Sequence, residues 1–156
     1  MADRPKRVLV VDDSPLIRGL VREIIGVDPD FEVTDEAGDG AEAIIRAMKV
    51  QPDVIILDIE MPKMDGLEVL KRLKLLSQAR VIVLSAGAQL GTDVARKAKQ
   101  LGAADVIPKP SGSVGFDLKA KRGHVLLTAL HAVAGLPPPD FQALAIRIAA
   151  RKAAVG

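Results

Sequence analysis

The chain has 156 residues, 49% of them hydrophobic, with 22 basic against 20 acidic side chains, enough apolar content for one packed domain and a short extension. A net charge of +2, no Trp or Tyr and only three Phe argue against a polyanion-binding or base-stacking role, and the lack of cysteine excludes disulfides and thiolate metal sites. No apolar run nears the roughly 18 residues of a membrane span, and the polar Met1–Lys6 segment leads straight into a strand, so a soluble cytoplasmic protein with neither nucleic-acid nor membrane partners is expected.

Short apolar runs then alternate with helical stripes along the chain. The first strand is read at Arg7–Val11, and a helix follows Ser14 as N-cap with Pro15 at its first position, burying Leu16, Leu20 and Ile24. Asp28-Pro29-Asp30 turns into a second strand at Glu32–Glu36, whose polar content suits a sheet edge. Gly38-Asp39-Gly40 opens a second helix with Ile44, Ile45 and Met48 inward. Val54–Leu57 is the third strand, and the helix after Asp65-Gly66 carries Leu67, Leu70 and Leu73. A fourth strand at Arg80–Leu84, a helix over Gly91–Leu101, a short strand at Asp105–Ile107 and a turn over Lys109–Phe116 precede a fifth helix that buries Leu126, Leu127, Leu130 and Val133.

This alternation predicts an α/β fold, a doubly wound parallel sheet of five strands in the order 2-1-3-4-5 with five flanking helices, over residues 1–136. Residues 137–156 read as a proline linker, Pro137-Pro138-Pro139, and a short helical tail. In that tail Phe141, Leu144 and Ile148 oppose Arg147, Arg151 and Lys152, and a solvated linker helix is favoured over a binding element.

In such a sheet ligands bind beyond the carboxyl ends of the strands. Asp12 and Asp13 follow the first strand, Asp58 the third, Ser85 the fourth and Lys109 the fifth, so one pocket can receive all five. Three carboxylates there repel one another unless a divalent cation sits among them. Singly, each residue has an ordinary reading as a cap, a turn or a surface lysine; the joint spacing is what selects a site. His124 and His131 share a face of the fifth helix, but with no third ligand near in sequence they carry no metal expectation.

The segments Val10-Val11-Asp12-Asp13-Ser14, Leu57-Asp58-Ile59-Glu60-Met61-Pro62-Lys63-Met64-Asp65-Gly66, Leu84-Ser85-Ala86 and Pro108-Lys109-Pro110 resemble the receiver domain of two-component response regulators over about residues 7–134. The resemblance implies a flavodoxin-like fold in which Asp58 accepts a phosphoryl group from a histidine kinase. It also implies Mg²⁺, with Mn²⁺ as a substitute, on Asp12, Asp13, Asp58 and the main-chain carbonyl of Glu60. Lys109 and Ser85 would contact the phosphoryl group, and Lys109-Pro110 matches the position of a cis bond in the family. Output would pass to an effector domain or target protein on the face of helix four, strand five and helix five, with phosphorylation-dependent dimerisation an option the family leaves open.

Asp58-Ile59-Glu60-Met61-Pro62, the segment from Gly91 to Asp105 and the Lys109–Ser113 loop look closer to the receiver of chemotaxis protein-glutamate methylesterases. No Gly-x-Ser-x-Gly elbow is present, so a phosphoacceptor rather than a turnover enzyme is expected, either a single-domain receiver or the regulatory half of a methylesterase. One departure is Val106, where many receivers carry an aromatic three residues before the lysine. Coupling is then expected through the backbone of the Ala86-Gly87-Ala88 loop. Two rivals stand beside this reading. A haloacid dehalogenase-like Mg²⁺ phosphatase would use Asp58 and Glu60, and a dinucleotide binder would use Gly38-Asp39-Gly40, but acids at the end of strand one repel pyrophosphate.

Overall fold

Along the first strand, Val8 and Val10 belong to one apolar cluster while Leu9 and Val11 belong to the other, the two-residue alternation of a sheet buried on both faces. In a computed structural model, which describes residues 4–63, 65–86, 93–109 and 115–155, five parallel strands form this sheet: β1 (Lys6–Val11), β2 (Phe31–Ala37), β3 (Val54–Asp58), β4 (Arg80–Ser85) and β5 (Asp105–Pro108). Their order is β2-β1-β3-β4-β5, as the alternation predicts. The chain reverses direction across the sheet between β1 and β3, so the crevice beyond their carboxyl ends is the switch point. β2 is an edge strand with a broken burial pattern, in keeping with its polar sequence.

The helices are α1 (Pro15–Gly26), α2 (Gly40–Val50), α3 (Gly66–Leu76), α4 (Asp93–Gln100), α5 (Gly115–Val133) and α6 (Phe141–Val155). Side chains of α1 and α5 cover one face of the sheet, and those of α2, α3 and α4 cover the other. Ser14 caps α1 by accepting from Ile17 N at 3.2 Å, with Pro15 at the first position. Asp39 and Asp65 cap α2 and α3 in the same way.

Two helices are rotated from their expected phase. On α1 the buried row is Ile17, Val21, Ile24 and Ile25, and Leu16 stands 69% exposed. The rows beginning at 16 and 17 are both apolar and differ by about 100°, so periodicity alone does not choose between them. On α2, Gly40, Ala43 and Ala47 face the sheet while Ile45 and Met48 point outward. Small side chains let that helix lie close against β1 and β2, and close approach outweighs the size of any one apolar group. Leu70 and Leu73 of α3 and Leu126, Leu127 and Leu130 of α5 are buried as expected, with Leu67 and Val133 packed at the margins.

Most of α6 is exposed, as in a solvated linker helix, but its first turn is anchored. Leu144 enters the α1–α5 cluster and Phe141 packs on its edge, so the start of α6 is seated on the receiver. The Gly91 helix start, Gly87-Ala88, Pro110 with its expected cis bond, the rest of the 110–114 loop and the side chains of Arg151 and Lys152 lie outside the described residues.

Candidate phosphoacceptor site

Parallel pairing places the five sequence-selected residues together. Asp58 is the last residue of β3, aligned with Leu84 of β4, and Ser85 is aligned with Pro108 of β5. The ladder continues one step as Lys109 N donates to Ser85 O at 3.0 Å, and Ile59 N donates to Leu84 O at 3.1 Å. Asp12 follows β1 and donates its N–H to Ala37 O at 3.1 Å, which ties it to the β2 edge.

Asp58 and Asp12 are fully buried, whereas Asp13 is exposed and lines a cleft of about 280 Å³ with Gly38, Asp39 and Met61. Asp58 Oδ2 accepts from Lys109 Nζ at 2.8 Å, and Asp58 Oδ1 accepts from the N–H of Glu60 at 2.9 Å. Asp12 Oδ1 accepts from Ser14 N at 2.8 Å. Its Oδ2 is buried with no hydrogen-bond partner among the described residues, 3.7 Å from Lys109 Nζ. A buried carboxylate oxygen without a donor is costly, and a cation is the natural complement.

Electrostatics point the same way. Burial pushes the Asp12 carboxyl up to about 6, against the Ser14 N–H that favours its charged form and with the Asp58 charge adding to the rise. Asp58 is likewise raised, first by burial, while its hydrogen bond to Lys109 acts downward. Burial lowers Lys109, but its bond to Asp58 and the charges of Asp12 and Asp58 outweigh that and leave it raised. One ammonium therefore does not balance the pocket. Ligand oxygens of Asp12, Asp13 and Asp58 all lie within 4.8 Å of one another, a donor set of hard oxygens able to hold a divalent cation.

The Glu60 side chain has a role that sequence reasoning missed, since only its main-chain carbonyl was assigned. Glu60 Oε1 accepts from Ala86 N at 2.7 Å, and Oε2 lies 3.5 Å from Ser85 Oγ. An acceptor carboxylate thus already lies against the loop after β4. Glu60→Ala removes that negative charge, worth about 1 kcal/mol at a part-exposed site, and should speed labelling by a small anionic phosphodonor roughly fivefold. Stopped labelling time courses check this; an unchanged rate would mean the carboxylate neither repels nor blocks the incoming anion. A second feature missed is Arg18, whose Nη1 donates to the Asp12 carbonyl at 2.6 Å while its Nε pairs with Glu36, locking the β1 end. The only sequence signal for it was a basic residue one turn into α1.

Val106 is half-buried and packs at the margin of the cluster under α2, α3 and α4. A β-branched side chain there has few alternative rotamers to report a change at Ser85.

Residues 8–116 match the response regulator receiver domain model, and the chain belongs to that family. Within it, the chain resembles the receiver portion of chemotaxis methylesterases. It is 44% identical over 123 residues to the protein-glutamate methylesterase/protein-glutamine glutaminase of Pyrococcus horikoshii, a match covering 79% of this chain and 33% of that protein. The Thermotoga maritima counterpart is 42% identical over 119 residues, covering 76% of this chain and 35% of that protein. The chain thus spans about a third of the length of the curated relatives it matches. Among solved structures, the response regulator domain of Thermotoga maritima CheB aligns with a TM-score of 0.75 at 38% identity, covering 86% of this chain and all (100%) of that one. A structure of the P1 domain of CheA3 in complex with CheY6 from R. sphaeroides aligns at TM-score 0.64 and 38% identity, covering 81% and 99% of the two chains. Among the described residues no helix is long and apolar enough to cross a membrane.

Proposed function

We propose that this receiver is a Mg²⁺-dependent phosphoacceptor of a chemotaxis-type two-component pathway, and that Asp58 takes the phosphoryl group from a phosphohistidine of a kinase. The observation that carries this is the buried Asp58 paired with Lys109 at 2.8 Å beside the unpartnered Oδ2 of Asp12. A carboxylate oxygen of Asp58 forms the new bond to phosphorus as the phosphorus–nitrogen bond of the donor breaks. Asp12, Asp13, Asp58 and the main-chain carbonyl of Glu60 would hold the ion, which when bound neutralises charge on the transferring group. Lys109, already on Asp58, is placed to follow the charge onto a phosphoryl oxygen, and Ser85 lies at the end of the adjacent strand as a hydroxyl donor.

The output partner is assigned to the face of α4, β5 and α5. Val106 stands where an aromatic would report to that face, so the change at Ser85 passes through the backbone after β4. The likeness to methylesterase receivers supports a regulatory role toward such a catalytic domain, and cytoplasmic signalling follows from the same reading. A haloacid dehalogenase-like phosphatase has less support, because Glu60, which that chemistry needs as an acid, has its carboxylate engaged by Ala86 N–H.

The test is labelling with acetyl phosphate, with and without Mg²⁺, followed by mapping. The expected result is one modified residue, Asp58, labelled only with divalent metal and released by base or hydroxylamine. A metal-independent label, or one as stable as phosphoserine, would overturn the assignment.

A further inference from the structure

At the far end of α5 the chain turns through Gly135, whose φ of 73° lies in the left-handed region that glycine adopts without strain. Leu136 N donates to His131 O at 2.9 Å, a closure typical of helix ends. This turn folds the proline linker back so that the carbonyl of Pro137 meets His131 Nδ1 at 2.8 Å. The other ring nitrogen, Nε2, lies 2.7 Å from Asp28 Oδ2, in the turn between α1 and β2. The His131 side chain is 6% exposed, and Phe31 packs edge-on against its ring at 5.3 Å. Further along, His124 stacks on Phe141 with ring centroids 4.0 Å apart, and Leu144 enters the core.

A carbonyl oxygen only accepts, and an ionised carboxylate only accepts, whereas a neutral imidazole has a single N–H. Both contacts of the buried ring are therefore satisfied together only when one extra proton is held between His131 and Asp28. The charged and titratable groups facing this ring among the described residues are Asp28 and, at 4.0 Å, Asp30, with His124 two turns earlier on α5 itself. Asp28, Asp30 and His131 also cluster as metal donors do, but 2.7 Å between Nε2 and Oδ2 is a hydrogen bond, too short for two ligands about 2 Å from a shared zinc.

We propose that Asp28, Phe31, His124 and His131 form a seat for the segment Pro137–Ile148, and that His131 as an imidazolium is the clasp, so that seating of the linker binds one proton. The orientation of α6 on the receiver is then proton-dependent. Seating is therefore coupled to that proton, and the seat loosens when the proton is lost at high pH. This is separate from the phosphoacceptor site and does not rest on its chemistry.

The test uses the full chain, which has no cysteine, with a nitroxide on Ala145→Cys, an exposed site beside Leu144, and ¹⁵N-labelled histidine. At low pH both ring nitrogens of His131 should carry hydrogen, and α1 and α5 amides should be broadened by the nitroxide. At least half of that broadening should fade at high pH. Asp28→Asn lets the Asn amide donate to Nε2 of a neutral ring, so seating should persist with its pH dependence flattened. His124→Phe keeps the stack, removes the second imidazole and should leave the wild-type pH dependence in place. His131→Ala should lose the broadening at every pH; if that variant does not fold, Asp28→Asn decides the matter. A single neutral tautomer at His131 with pH-independent broadening, or the same pH dependence in Asp28→Asn as in the wild type, would overturn the clasp.

Discussion

Asp58→Asn should abolish phosphoryl acceptance and, without metal, make the protein more stable at neutral pH. The first effect follows from loss of the nucleophilic oxygen. The second follows from burial: Asp58 and Asp12 are fully buried and raised, so their ionisation at pH 7 opposes folding. The sign can be worked out on Asp12, whose carboxyl titrates near 3.8 when unfolded and at about 6 when folded. Between those values the native state holds the extra proton, so metal-free stability falls as pH rises from 3.8 to about 6, by something on the order of 2–3 kcal/mol, and stays lost above it. Asp58 contributes in the same direction. Asp58→Asn should therefore raise the metal-free stability at pH 7, and with it Tm. Added Mg²⁺ should stabilise the wild type and leave the variant nearly unchanged. Thermal melts from pH 4 to 8 with and without Mg²⁺ check all of this; a variant less stable than the wild type in metal-free buffer at pH 7 would mean Lys109 outweighs the burial of the acids.

Gly66→Ala should cost at least about 3 kcal/mol, the range of severe overpacking, because nothing near it can give way. A Cβ there would lie 2.2 Å from Ile59 O and 2.5 Å from Ile59 Cα, and both atoms are backbone. Gly66 is the first residue of α3, capped by Asp65, and this close approach presses the loop after β3 onto the helix start. Relief of the clash must move Ile59 and so Glu60, whose N–H holds Asp58 Oδ1 and whose carboxylate holds Ala86 N. Urea unfolding should show the lost stability, and the fraction that folds should label more slowly. A loss below about 1 kcal/mol with unchanged labelling would show that the loop is not pinned there. From sequence alone, Asp65-Gly66 reads as a turn and helix start, which is right but accounts for the glycine only in part.

Strands were legible from local sequence because a run such as Val54-Ile55-Ile56-Leu57 has the length and β-branched content of a strand buried on both faces, and the chain order of strands and helices limits the topology. From the same information came the acids and Lys109, since parallel strands that all end at one edge bring the residues following them together. Helix rotation was not legible: Leu16 and Ile17 are equally apolar, and only contact with the sheet selects one row. Nor was the Glu60 carboxylate, whose partner Ala86 lies 26 residues away on another strand's loop, because a side chain's direction depends on where its donors are brought. The pairing of Asp28 with His131 spans 103 residues, and Pro137 joins it only because α5 ends in a left-handed turn. Short-range periodicity encodes the sheet and the charges at its edge, whereas packing brings the buried polar groups together, because a hydrogen bond requires partners within about 3 Å that no local pattern specifies.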